Sequence, residues 1–219
     1  PTPFAYFYKE NNAHLICASP ERKKKKQGTQ IISQPIKGTV KRELTDEVKD
    51  TLLKNELFQS SKDRSENVMV VDLVRNDFSR VCKAGTVKVD ELFGIYSFPQ
   101  VHQMISTISG QLLDGIGMSD LLNTGFPMGS MTGAPKKKVM ELIQRFEPIE
   151  RGLFSGAVGY INPNKDFDFN VVIRSLLYNA QNHYLSYLVG SGITIYSNPE
   201  QEYEECLLKA KAMETVLGN

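Results

Sequence analysis

Three groups of polar residues in this chain have the types and spacing to do chemistry. Glu21 and Lys37 lie sixteen positions apart, each close behind a proline. Together they offer a proton donor and a nucleophile, provided the amine is kept partly out of water so that its neutral form is populated. The alternative for Lys37 is a solvated turn lysine. Glu202 and Glu205 fall at i and i+3 of a terminal helical pattern, with Glu66 far upstream. Helical carboxylates facing one another suit a hard cation such as Mg²⁺, which takes one or two protein carboxylates and leaves its other positions to water and an anionic substrate. The competing reading is a solvated, salt-bridged face, because Lys209 stands four residues after Glu205. The third group is Arg174, Lys209 and the backbone of Gly190-Ser191-Gly192. A guanidinium in an apolar strand either meets a buried acid or forks onto a substrate carboxylate.

These residues need elements to hold them. Phe4–Tyr8 and His14–Ala18 read as a hairpin about Glu10-Asn11-Asn12. Lys23 to Lys26 read as a solvated loop or strand edge. Lys37 follows Ile31-Ile32 and sits between Pro35, which fixes backbone dihedrals, and Gly38, which frees them. Apolar spacing predicts a helix over 45–58 capped by Thr45, then a buried helix from Ser60 or Ser61 toward Val81. Asp72, Arg75 and Asp77 in that helix are expected to form an internal ion pair. Strands are expected over 86–95 and 101–113, and a short helix over 119–124. The loop 125–135 carries three glycines and two prolines, so backbone amides there can approach a ligand. It is not a phosphate-binding P-loop, since Gly133 is followed by Ala134-Pro135-Lys136. A helix through Phe146, a strand over 155–161, one long apolar strand over 167–178 and strands over 183–189 and 193–196 follow. A closing helix capped by Asn198 completes the chain.

Neither repeats nor low-complexity linkers interrupt the 219 residues, so a single domain of α+β class over 1–219 is the economical organisation. A net charge of +1 gives no field strong enough to recruit nucleic acid or an anionic membrane. The chain contains no apolar run of the roughly 18 residues that a membrane span needs. Cys17, Cys82 and Cys206 are widely spaced and form no CxxC pair, as expected of reduced thiols in a cytoplasmic protein.

Five motifs in order extend this reading: Pro35-Ile36-Lys37-Gly38-Thr39, Val71 through Asp77, Phe126-Pro127 with Thr132 through Lys136, Gly156 through Tyr160, and Gly190-Ser191-Gly192-Ile193 leading to Glu202 through Glu205. Together they resemble the chorismate-utilising enzymes. The resemblance implies a layered sandwich of mainly antiparallel sheets with helices packed outside, here lacking its amino-terminal portion. It implies that Glu66 and Glu205 ligate Mg²⁺, with Glu202 beside them. Thr132, Tyr160, Arg174, Gly190, Gly192 and Lys209 would line the pocket for chorismate. Lysine in the first motif implies amination to 4-amino-4-deoxychorismate, for folate synthesis, with Lys37 attacking the ring, Glu21 as acid, and ammonia from a glutamine amidotransferase subunit. Amination to anthranilate is the alternative within the family. A non-catalytic binding module, either a truncated homologue or a protein that binds polyanions through Lys23 to Lys26 and Lys136 to Lys138, is the alternative outside it. Two segments depart from the pattern. Gln103 stands where many relatives carry histidine, with His102 one place early, which argues for a synthase that stops at the aminated product. Lys23 and Lys24 occupy places that are usually aromatic or aliphatic.

Overall fold

The structure, a computed structural model, describes residues 2–195 and 197–218. Its strands are β1 (Phe4–Glu10), β2 (Ala13–Ser19), β3 (Arg22–Gln27), β4 (Gln30–Gln34), β5 (Ile36–Lys41), β6 (Lys88–Ser97), β7 (Val101–Gln111), β8 (Ala157–Ile161), β9 (Phe167–Val171), β10 (Ser175–Asn179) and β11 (Tyr184–Ser186). The helices are α1 (Glu47–Gln59), α2 (Ser61–Ser79), α3 (Met118–Thr124), α4 (Lys136–Phe146) and α5 (Pro199–Leu217). Contacts divide the chain into two compact units. One comprises Glu21–Glu147 with Tyr160–Phe169, the other Thr2–Pro20, Pro148–Gly159 and Asn170 onward.

The first unit is built on β7, which alternates between two buried faces along almost its whole length. One edge of β7 pairs with β6, while β4 and β5 share the other, with Pro35 at the junction. The seven-stranded sheet runs β5-β7-β4-β3-β9-β8, with β6 on β7. Register shifts interrupt it on β3, β5 and β6, and the first two bear on the site. Between Arg22↔Gln34 and Lys25↔Ile32 the chain takes three steps on β3 against two on β4. Between Ile36↔Ile105 and Thr39↔Gln103 it takes three steps on β5 against two on β7. Each extra residue bends the strand and breaks side-chain alternation. The second bulge contains Gly38 at φ +93°, where a Cβ would meet Leu57 and Asp63 at 3.0 Å. Only glycine fits that corner.

Ile31, Val71, Phe78, Ile108, Leu121 and Phe167 form the main core of this unit. Helix α2 is buried along one stripe, not all round as its composition suggested; Val68 stays exposed because the helix rests on the sheet by one face. Asp46, not Thr45, caps α1 by accepting from the Lys49 amide. Even-numbered residues of β7 reach α1 and α2. Met104 packs with Leu57, Ser106 donates to Asn67 Oδ1, and His102 Nε2 lies 3.0 Å from Asp50 Oδ1. Ser97 Oγ lies 2.8 Å from His102 Nδ1. Asp50 also accepts from Arg42 at 2.8 Å and from the Glu43 amide at 2.9 Å.

The second unit carries the four-stranded sheet β1-β2-β10-β11, with Leu15, Cys17 and Val172 at its centre. The β1–β2 hairpin is the expected one. The apolar run 167–178 is two strands, not one, because the backbone breaks at Arg174, whose φ is +52°. The strand expected at 183–189 is limited to β11, and residues 193–195 form none; Tyr196 lies outside the described residues. Asn198 caps α5 by accepting from the Gln201 amide, as its position before Pro199 implied. All three cysteines are free thiols.

The bond from Arg42 leads the interactions that hold the Asp50 carboxyl down at about 2, from an ordinary 3.8. A group depressed in the fold contributes stability that is present above its unfolded value and drains as pH falls through the folded one. Wild-type protein should therefore lose thermal stability between pH 3.8 and about 2. Asp50→Asn should start from a lower melting temperature at neutral pH and lose less across that window, measured by circular dichroism melts. Parallel slopes for the two proteins would count against this account.

Candidate active site

The bulge in β5 presents Lys37 toward α2, where its Nζ lies 4.0 Å from Glu66 Oε2. Glu21, just ahead of β3, is buried, and burial pushes its carboxyl up to about 7 from 4.5. A hydrogen bond with Ser130 and the charge of Lys37 oppose that shift without cancelling it. A carboxyl in this range holds its proton near neutral pH and can deliver it to a leaving group. The first unit thus brings Lys37, Glu21 and Glu66 together.

Ser130 escaped the reading of the sequence. Its only signal was a place in the glycine-rich loop 125–135, which gave no reason to prefer it over its neighbours. Thr132, which was preferred, turns its hydroxyl and its amide back onto the Met128 carbonyl, at 2.8 and 3.1 Å. It shapes the loop. Tyr160, half exposed at the end of β8, belongs to the same unit. Asp77 does not join the Asp72–Arg75 pair, which is exposed and spans 2.8 Å. It accepts instead from Lys136 Nζ at 2.9 and 2.7 Å.

The second unit gathers the other group around α5. Lys209 Nζ donates to the Gly190 carbonyl at 2.9 Å and pairs with Glu205 at 2.6 Å. Ser191 Oγ donates to Glu202, which is buried, and Ser197 Oγ donates to the Gly192 carbonyl at 3.3 Å. Arg174 donates to the Lys209 carbonyl at 3.3 Å; burial lowers its pKa, with the charge of Glu205 opposing. The two readings of α5 therefore divide between its acids. Glu205 forms the i, i+4 salt bridge of a solvated face, whereas Glu202 is enclosed against the glycine loop.

Glu202 and Glu205 are hard oxygen donors one turn apart, the chemistry Mg²⁺ requires, and Glu66 is an acid of the same type in the first unit. Among the described residues no three His, Cys, Asp or Glu side chains form a metal-binding group. Gln103 and His102 occupy opposite faces of β7, so His102 cannot reach where the Gln103 side chain points. The lysine runs do not form the polyanion surface considered above. The β3 bulge turns both Lys23 and Lys24 inward, and each is about 5% exposed. Lys136 is spent on Asp77.

This arrangement belongs to a known class. A family model described as chorismate binding enzyme matches residues 1–215, and the chain belongs to that family. Aminodeoxychorismate synthase component 1 of Bacillus subtilis is 39% identical over 217 residues, spanning 99% of this chain and 46% of that protein. Its counterpart in Escherichia coli is 42% identical over 203 residues, 93% of this chain and 44% of that one. The crystal structure of anthranilate synthase component I from Streptococcus pneumoniae superposes with a TM-score of 0.85 at 31% identity, over 97% of this chain and 46% of that chain. The α+β fold is thus that of the chorismate-binding enzymes, and the chain spans a little under half the length of these relatives.

The raised Glu21 carboxyl has a thermodynamic consequence. Its folded pKa of about 7 exceeds the ordinary 4.5, so the fold is penalised once the group ionises. Stability should fall as pH rises from 4.5 to about 7, a window equivalent to about 3 kcal/mol at most. Glu21→Gln should remove that slope and be the more stable protein above pH 7, read by urea unfolding at a series of pH values. A variant less stable than wild type above that pH would show that Glu21 is ionised and paired.

Proposed function

We propose that this protein aminates chorismate to 4-amino-4-deoxychorismate, the activity named in its B. subtilis and E. coli relatives. The observation that carries this reading is Lys37, lifted out of the β5 ladder by a bulge and set beside Glu66 and the buried Glu21. The Lys37 amine attacks C2 of the ring, both ring double bonds shift by one position, and the C4 hydroxyl leaves with the proton of Glu21 as water. Ammonia then adds at C4 as the C2–N bond breaks, and Lys37 is regenerated after losing the proton it gained. Within the second unit, Arg174, Lys209 and the Gly190–Gly192 backbone are groups of the kind that suit carboxylates. Mg²⁺ is the proposed cofactor, with Glu202 and Glu205 as its acids on α5, and when bound it supplies positive charge to a substrate carboxylate. Glu66, the acid that the motif order adds to them, is engaged by Lys37. The proposed setting is cytoplasmic folate synthesis, with ammonia from a glutamine amidotransferase subunit. No described helix is long and apolar enough to cross a membrane.

Likeness to the S. pneumoniae enzyme favours one competing reading, release of anthranilate. Product analysis by mass spectrometry with chorismate, Mg²⁺ and ammonium separates the two. Lys37→Ala should lower formation of the aminated product by at least about 100-fold. Unchanged turnover in Lys37→Ala, with anthranilate as the product, would overturn the proposal. Glu21→Gln should cost about 10²–10⁴-fold, the range for loss of a general acid, and should abolish the decline of wild-type turnover as pH rises through about 7.

A further inference from the structure

Ahead of the chemistry proposed for Glu21, the β3 bulge creates a second feature that this chemistry does not use. Lys23 is 6% exposed, and its ammonium forms no hydrogen bond or ion pair with a described residue; it rests over the Phe126 ring, 4.4 Å from the centroid. It lines a cavity of about 30 Å³ together with Lys24, Glu21, Arg22, Asp77 and Ser130. Every neighbouring charge already has a role. Lys24 Nζ donates to the Leu121 carbonyl at 2.9 Å, Lys136 takes both oxygens of Asp77, and Arg22 is bound to Asp168 at 3.0 Å.

With Glu21 protonated below about 7, three ammonium groups, Lys23, Lys24 and Lys136, therefore share a single ionised carboxylate, Asp77, and Lys136 occupies it. Buried charge without a counterion is costly, and an aromatic face offsets only part of the cost. Two positive charges are left without a carboxylate, and a single anion between them would answer both in part. The space has room for a small ion: one water-sized sphere needs roughly 10–15 Å³, and the cavity offers about 30 Å³. We propose that the cavity behind β3 binds a single halide ion, with the Lys23 ammonium as its principal ligand and Lys24 beside it.

Protonation is coupled to such binding. Burial, then the charges of Lys24 and Lys136, lower the Lys23 amine to about 7 against the pull of Asp77, and burial lowers Lys24 to about 8. Halide binding requires the ammonium forms, so it takes up protons and weakens as pH rises through that range. Glu21 lines the same wall, and its ionisation at about 7 disfavours the anion in the same direction.

The test compares sodium chloride with sodium gluconate at equal ionic strength. Chloride should raise the melting temperature by several degrees at about pH 6 and by much less at about pH 9. Lys23→Met, which keeps the stem and removes the charge, should abolish the difference. Lys138→Met, at an exposed lysine paired with Glu141, should retain it. Identical melting temperatures in the two salts at pH 6 would overturn the proposal, as would a chloride effect that persists in Lys23→Met or vanishes equally in Lys138→Met. None of these outcomes depends on turnover, so the result stands apart from the chorismate assignment.

Discussion

Backbone pairing along β7 is the constraint on which the first unit depends. β6 takes one edge, and β4 and β5 divide the other, so every residue of those strands acquires a register. Register decides face, because side chains alternate along a strand. The core, the His102–Asp50 contact to α1 and the Ser106–Asn67 contact to α2 all follow from the even face of β7. The β5 and β3 bulges are two of the places where that rule is broken. One delivers Lys37 to Glu66 and Glu21, and the other turns two lysines inward.

Burial, more than charge pairing, sets the protonation of the groups at the β3 bulge. Desolvation is the largest influence on Glu21, Lys23 and Lys24, raising the acid and lowering both amines toward neutral pH. An acid that retains its proton is what a departing hydroxyl requires. In the second unit the opposite arrangement holds. Arg174, Lys209, Glu205 and Glu202 bind one another and the glycine loop, so that charged groups suited to an anion and a cation are held in place by mutual contacts.

Much of the local structure was legible because short-range chemistry determines it. The β1–β2 hairpin, the Asn198-Pro199 start of α5 and the grouping of Arg174, Lys209 and the glycine loop follow from turn residues, caps and helical spacing. Glu21 and Lys37 were legible as a pair by residue type. Their environment was not. Periodicity read 167–178 as continuous strand and missed the break at Arg174, since no residue there announces a left-handed backbone.

The lysine run shows where the limit lies. From sequence alone, Lys23 to Lys26 were solvated charges, and for any straight edge strand that inference is sound. A single extra residue in the β3–β4 ladder, invisible in the composition, buries two of them. The sequence by itself determined which acids, amines and glycines the protein possesses, the α+β class and the order of its motifs. Tertiary structure alone decided that Ser130 meets Glu21, that Asp77 belongs to Lys136, and which lysines leave water. The physical reason is that register and desolvation arise between segments far apart in the chain, whereas propensity and spacing act within a few residues.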